Sequence, residues 1–108
     1  MANMSLVGHE NVRVEVVGIN NRKGEINIVI SYTLKQLLSS ETESLVIPSE
    51  KQALIKTLMG LTSIELDSLR VALISLRGVM HDNDKNLSFS ILRTIEFVRN
   101  WNPEKEND

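Results

Sequence analysis

The sequence predicts an α+β domain. It should hold an N-terminal antiparallel β-hairpin, a short third strand near 44–47, a short helix near 34–39 and three main helices at about 49–59, 63–79 and 87–101. Three observations predict this. Valines and isoleucines alternate with largely polar residues on both sides of an Asn/Gly-rich break at 20–24. Leucines and isoleucines then recur at helical spacing in three later stretches. Ser or Thr stands three residues ahead of Gln or Glu where two of these helices begin.

In the hairpin, Val12, Val14 and Val16 alternate with Arg13 and Glu15, and Ile26, Ile28, Ile30 and Tyr32 alternate with Asn27, Val29 and Ser31. One face is therefore apolar and the other mostly polar. Gly24 suits a positive-φ position that closes the turn. Thr33 and Gln36 have capping-box spacing, and Leu34, Leu37 and Leu38 fall on one face, which predicts the short helix. The polar, acidic run 39–44 reads as a connector. The apolar run before Pro48 reads either as a short third strand or as the apolar lead-in to the next helix; a two-stranded hairpin is marginal alone, which inclines the reading toward the strand.

Ser49 and Gln52 are spaced as a capping box for the next helix, whose stripe is Leu54, Ile55, Leu58 and Met59, with Gly60 ending it. Thr62 and Glu65 form a further capping box, with Leu61 and Leu66 at staple spacing. The central helix has a broad apolar face of Leu66, Leu69, Ala72, Leu73, Leu76, Val79 and Met80. It also has a second, narrower face of Ile64, Val71 and Ile74, so it calls for cover from two sides. Two neighbouring helices and a hairpin supply little for the second face, which makes a homodimer an expectation. Residues 81–86 read as a loop by composition, and the last helix has the core face Ile91, Leu92, Ile95 and Val98.

A chain of 108 residues fits one compact domain, expected over 1–101, between a loose start at 1–10 and a charged tail at 102–108. Composition is that of an ordinary soluble protein, 42% hydrophobic and 24% charged. A net charge of -2 gives no chain-wide attraction to nucleic acid or anionic membrane. The absence of cysteine removes disulfides, thiol nucleophiles and Cys-type zinc sites. No signal peptide or spanning run is visible, so a cytoplasmic location without membrane association is expected. These features suit a small accessory protein of bacterial or phage type.

Chemical motifs are scarce. Asp82, Asn83, Asp84 and Asn86 offer alternating oxygens, but the positions where a calcium loop needs Gly and Glu hold Leu87 and Arg93. A solvated turn is expected there, and no metal or cofactor. The two histidines, His9 and His81, are far apart and read as surface residues. No hydrolase, metalloprotease or nucleotide-binding motif occurs, and a non-enzymatic protein is expected. Arg70 and Arg77 share one side of the central helix with Asp67 and read as an ion-paired edge.

The strongest candidate site lies in the last helix. Arg93, Phe97 and Trp101 follow one another at four-residue spacing, roughly opposite the Ile91/Leu92/Ile95/Val98 face. Trp, Phe and Arg are the types enriched at interface centres, so these three are candidate partner-binding residues. Cover by the hairpin of the same chain is the competing expectation, and small α+β domains favour it. On the binding reading the chain is a small protein-interaction module: an inhibitor, an immunity-type protein, an adaptor or a chaperone. Its partner would be a protein of unspecified identity, and Trp101→Ala would abolish binding without unfolding the chain.

Around Gly60, the positions Ile55, Met59, Leu61, Leu66 and Leu69 carry apolar residues in a pattern that resembles the helix-turn-helix of bacterial and phage repressors, over 52–71. The resemblance implies a DNA-binding regulator. Thr62, Ser63, Ile64, Asp67 and Ser68 would then face the major groove, with Arg22 and Lys23 of the hairpin tip on phosphate. A plain helical hairpin with a glycine turn gives the same pattern.

Overall fold

The computed structural model describes residues 12–34 and 39–101. The expected loose start, the charged tail and residues 35–38 of the expected short helix lie outside the described residues, as does His9. Three antiparallel strands come first, β1 (Val12–Asn20), β2 (Glu25–Leu34) and β3 (Ser39–Pro48). Three α-helices follow, α1 (Lys51–Met59), α2 (Ser63–Ser75) and α3 (Asp82–Trp101), with a 3-10 turn at Arg77–Val79 between the last two. The fold is α+β, with sheet order β1-β2-β3.

Register places the apolar positions on one face. Val14 pairs with Ile30 and Val16 with Ile28 across β1 and β2; Ile28 pairs with Leu45 and Ile26 with Ile47 across β2 and β3. Ile26, Ile28, Ile30 and Ile47 are fully buried beneath the helices with Leu54 and Leu58 of α1, Leu66, Leu69 and Leu73 of α2, and Ile91, Ile95 and Val98 of α3. In the helical layer α3 lies in the middle, α1 packs on it over β3, and α2 packs on it over β1. The opposite sheet face carries Arg13, Glu15, Asn27, Ser31, Thr42 and Ser44, as period-two alternation requires.

Two devices anchor the helices to the sheet. Gly24 adopts the expected positive φ of 67°, and its carbonyl accepts the Ser49 backbone N–H at 2.8 Å, which ties the hairpin turn to the entry of α1. At the other end of the sheet the predicted Thr62/Glu65 capping box is formed. Thr62 Oγ1 accepts the Glu65 N–H at 3.1 Å and Glu65 Oε1 accepts the Thr62 N–H at 2.9 Å. The second oxygen, Glu65 Oε2, accepts the phenol of Tyr32.

Several expectations are corrected. Leu34 and Ser39 are strand residues paired with each other, so both ends of the expected short helix belong to the sheet. The run 39–44 is strand as well: Glu41 and Glu43 pair with Tyr32 and Ile30 on the core-side face yet stay exposed, so no apolar pattern marks them. The cap of α1 is Glu50, whose carboxylate accepts the Ala53 N–H at 3.0 Å, while Ser49 is drawn to Gly24. Gly60 ends α1 in the right-handed region, at φ -80°, through tightened 3-10 bonds.

The central helix is shorter than expected and covered on one side. It stops at Ser75, and the 3-10 turn swings Val79 into solvent at 80% exposure. Its narrower face stays open, with Val71 at 49% and Ile74 at 43% exposure, because α2 lies over the outermost strand with α3 on only one flank. The expected loop 81–86 is mostly helix: α3 begins at Asp82, and its acidic first turn favours the helix N-terminus. Arg70 pairs with Asp67 at 2.9 Å as expected. Arg77 instead stacks over the Phe89 ring, 4.5 Å from its centroid.

Candidate interaction groove

On α3, residues 90, 93, 94 and 97 recur at three- and four-residue spacing and so share the flank that turns toward α1. On α1, Lys51 and Ile55 are one turn apart and face back. Between the two helices lies a surface groove in two adjoining parts. One, of about 410 Å³, is lined by Lys51, Ile55, Arg93, Thr94 and Phe97. The other, of about 360 Å³, shares Lys51, Arg93 and Thr94 and adds Ser49, Leu54 and Ser90. Thr94 turns its hydroxyl back to the Ser90 carbonyl at 2.9 Å, which leaves its methyl for the groove wall.

The groove therefore joins an apolar surface, made by Ile55, Phe97 and the Thr94 methyl, to two cations. Among the described residues neither Lys51 nor Arg93 has an ion-pair partner, whereas Arg70 and Arg99 converge on Asp67 at 2.9 and 3.4 Å. Phe97 is 52% exposed, so the expectation that the hairpin covers it is overturned for this residue. The reason lies in the helical phase: Ile91, Ile95 and Val98 take the sheet side of α3, and Phe97 points toward α1. Trp101 closes α3, and its side chain lies outside the described residues. Arg93 and Phe97, paired by their four-residue spacing, line the same groove. Lys51 and Ile55, which no spacing signal singles out, join them from a helix about forty residues earlier.

The residues of the helix-turn-helix resemblance are placed differently from that motif. Asp67 and Ser68 lie against Val12, Arg13 and Val14 of β1, and Asp67 is engaged by two arginines. Thr62 is the cap of α2, while Ser63 and Ile64 are half-buried. α1 packs on α3 and β3, and α2 packs on β1 and α3, so the two form no close pair of their own. Arg22 and Lys23 are exposed in the turn beside Asn21, whose amide donates to Asp84. That turn and the start of α2 mark opposite ends of β2, on the order of 25 Å apart at the usual rise per strand residue.

Elsewhere, burial first, then the hydrogen bond to Glu65 and the charges of Glu65 and Glu43, hold the Tyr32 hydroxyl well above the ordinary phenol range. His81 is exposed. Among the described residues no helix is long and apolar enough to cross a membrane. Comparison of the chain with protein-family models, with curated proteins and with solved structures finds no match.

Proposed function

We propose that this chain is a small, non-enzymatic, cytoplasmic interaction module that binds a partner protein through the α1–α3 groove. The observation that carries the reading is the pairing of the half-exposed Phe97 and the partly buried Ile55 with Lys51 and Arg93, two cations without ion pairs among the described residues. An aromatic anchor beside a guanidinium is the composition of an interface centre. Its charge complements a partner segment that presents an apolar side chain flanked by carboxylates. Inhibitor, immunity, adaptor and chaperone roles all work by such occupancy.

The test is affinity capture with the immobilised chain, run beside Arg93→Glu, Phe97→Ala and a control on the outer sheet face, Thr42→Ala. One protein retained by wild type and control and lost with both groove variants is the expected result. Equal capture by all four sinks the groove. Salt-sensitive binding to duplex DNA that survives the groove variants would instead transfer the function to a DNA-binding regulator.

A further inference from the structure

We infer that β1 is the dimerisation edge of this protein, and that a second copy adds there in one register, antiparallel and centred on Val14. Among the described residues β1 pairs only with β2, so its other edge offers unpaired backbone groups. Among the described residues the flat run on that edge is short. Val17 has no partner in the register between Val16 and Gly18; this bulge breaks the run of regular pairs, which resumes with β2 at Gly18, so the flat stretch before it is residues 12–16.

Charge complementarity selects the register. Two copies of β1 centred on Val14 place Arg13 opposite Glu15 of the partner subunit, twice, on the outer face where both residues are exposed. Val12 then faces the partner's Val16, and Val14 its twin, on the core side. Centring on Arg13 or on Glu15 would set like charges directly opposite each other. A shift of one residue would set valines against charges and turn one copy's apolar face outward. Among the described residues neither Arg13 nor Glu15 is held in an ion pair within its own chain.

A second observation converges on the same edge. A hollow of about 280 Å³ lies between β1 and α2, lined by Val12, Arg13, Val14, Asp67, Ser68 and Val71, with Ala72 behind. Residues from both faces of β1 line it, so it reaches the unpaired edge. Val71, on the open apolar face of α2, stands at its rim. The two-fold axis is perpendicular to the sheet, so both helical layers lie on the same side. The two α2 helices flank the axis and bring Val71 toward its twin. The product is a six-stranded sheet in the order β3-β2-β1-β1-β2-β3. The α1–α3 groove lies across α3 from α2 and stays open.

The test reads mass by light scattering over a range of concentrations for wild type, Arg13→Glu, Glu15→Arg and the double swap. The expected result is a wild-type dimer, a dissociation constant raised roughly tenfold or more in each single variant, and recovery in the double swap. Both positions are exposed, so the variants keep the fold, which circular dichroism checks. Register is read independently, because the chain has no cysteine. Arg13→Cys mixed with Glu15→Cys should form a disulfide-linked pair on oxidation, while each alone should not, since only the mixed pair sits directly opposite. A monomeric wild type overturns the inference. So does a dimer indifferent to the charge variants, or cross-linking of each cysteine variant with itself.

Discussion

The phenol of Tyr32 on β2 donates to the carboxylate of Glu65, and that carboxylate also closes the N-cap of α2 through the Thr62 N–H. One side chain thereby serves two elements, with Glu65 only 8% exposed, so the far end of the sheet and the start of the central helix are held together. Tyr32→Phe removes the donor and is expected to cost about 1.5–3 kcal/mol in urea unfolding near neutral pH, the range for a hydrogen bond to a carboxylate. The pH dependence has a definite sign. The Tyr32 pKa is raised in the folded state, so its contribution is complete below the ordinary phenol pKa of about 10. That contribution is lost as pH rises toward the folded value. The stability gap between wild type and Tyr32→Phe should therefore shrink in alkali. As this is the chain's one tyrosine, tyrosinate absorbance follows the group directly. An unchanged gap would remove the bond from the account.

Gly24 is the position where backbone and packing both demand glycine. Its φ of 67° is one that residues with a Cβ rarely adopt. A Cβ built there would collide with the Ser49 side chain. Gly24→Ala is expected to destabilise by about 1–3 kcal/mol, the backbone strain plus the clash. In a Ser49→Ala background the same substitution should cost less, because the colliding hydroxyl is gone while the strain remains. Denaturant midpoints of the four proteins give this coupling directly.

Thr62→Ala tests the cap as distinct from the tyrosine tether. It removes the acceptor of the Glu65 N–H and leaves the Tyr32–Glu65 bond in place. The expected loss is about 1 kcal/mol in thermal or urea unfolding. Tyrosinate absorbance in alkali should still report a strongly raised Tyr32. A fall of that value toward an ordinary phenol would mean that cap and tether are one unit.

How much of this was legible in the sequence depends on which residues had to be buried. The hairpin, the Gly24 turn and the Thr62/Glu65 box could be read because alternation, positive φ and a three-residue spacing are local signals. Residues 39–44 could not, since Glu41 and Glu43 occupy core-side register positions without being covered, and an exposed strand has no apolar period to show. Asp82, Asn83 and Asp84 were ambiguous because the residues that make turns also open helices. In the groove, Arg93 and Phe97 stood out by spacing within one helix. Lys51 and Ile55 join them only through the packing of α1 on α3, a relation that no local pattern carries. The open face of α2 could be seen as apolar, but where the helix lies over the sheet decided whether it was covered.

Ile95 and Phe97, two residues apart on α3, allow folding to be tested apart from the proposed recognition. Ile95 is fully buried against the sheet, and its truncation to Ala should cost about 2–5 kcal/mol by lost transfer energy and a cavity. Phe97 turns half its surface to solvent in the α1–α3 groove. Phe97→Ala should change stability by no more than about 1 kcal/mol, in the range of surface substitutions with partial packing. Urea unfolding followed by the fluorescence of Trp101, the chain's one tryptophan, reads both variants on the same probe. A loss for Phe97→Ala as large as that for Ile95→Ala would make the ring part of the core and remove the anchor from the proposed groove. A near-neutral Phe97→Ala that has lost its captured partner would leave recognition as the use of that exposed ring.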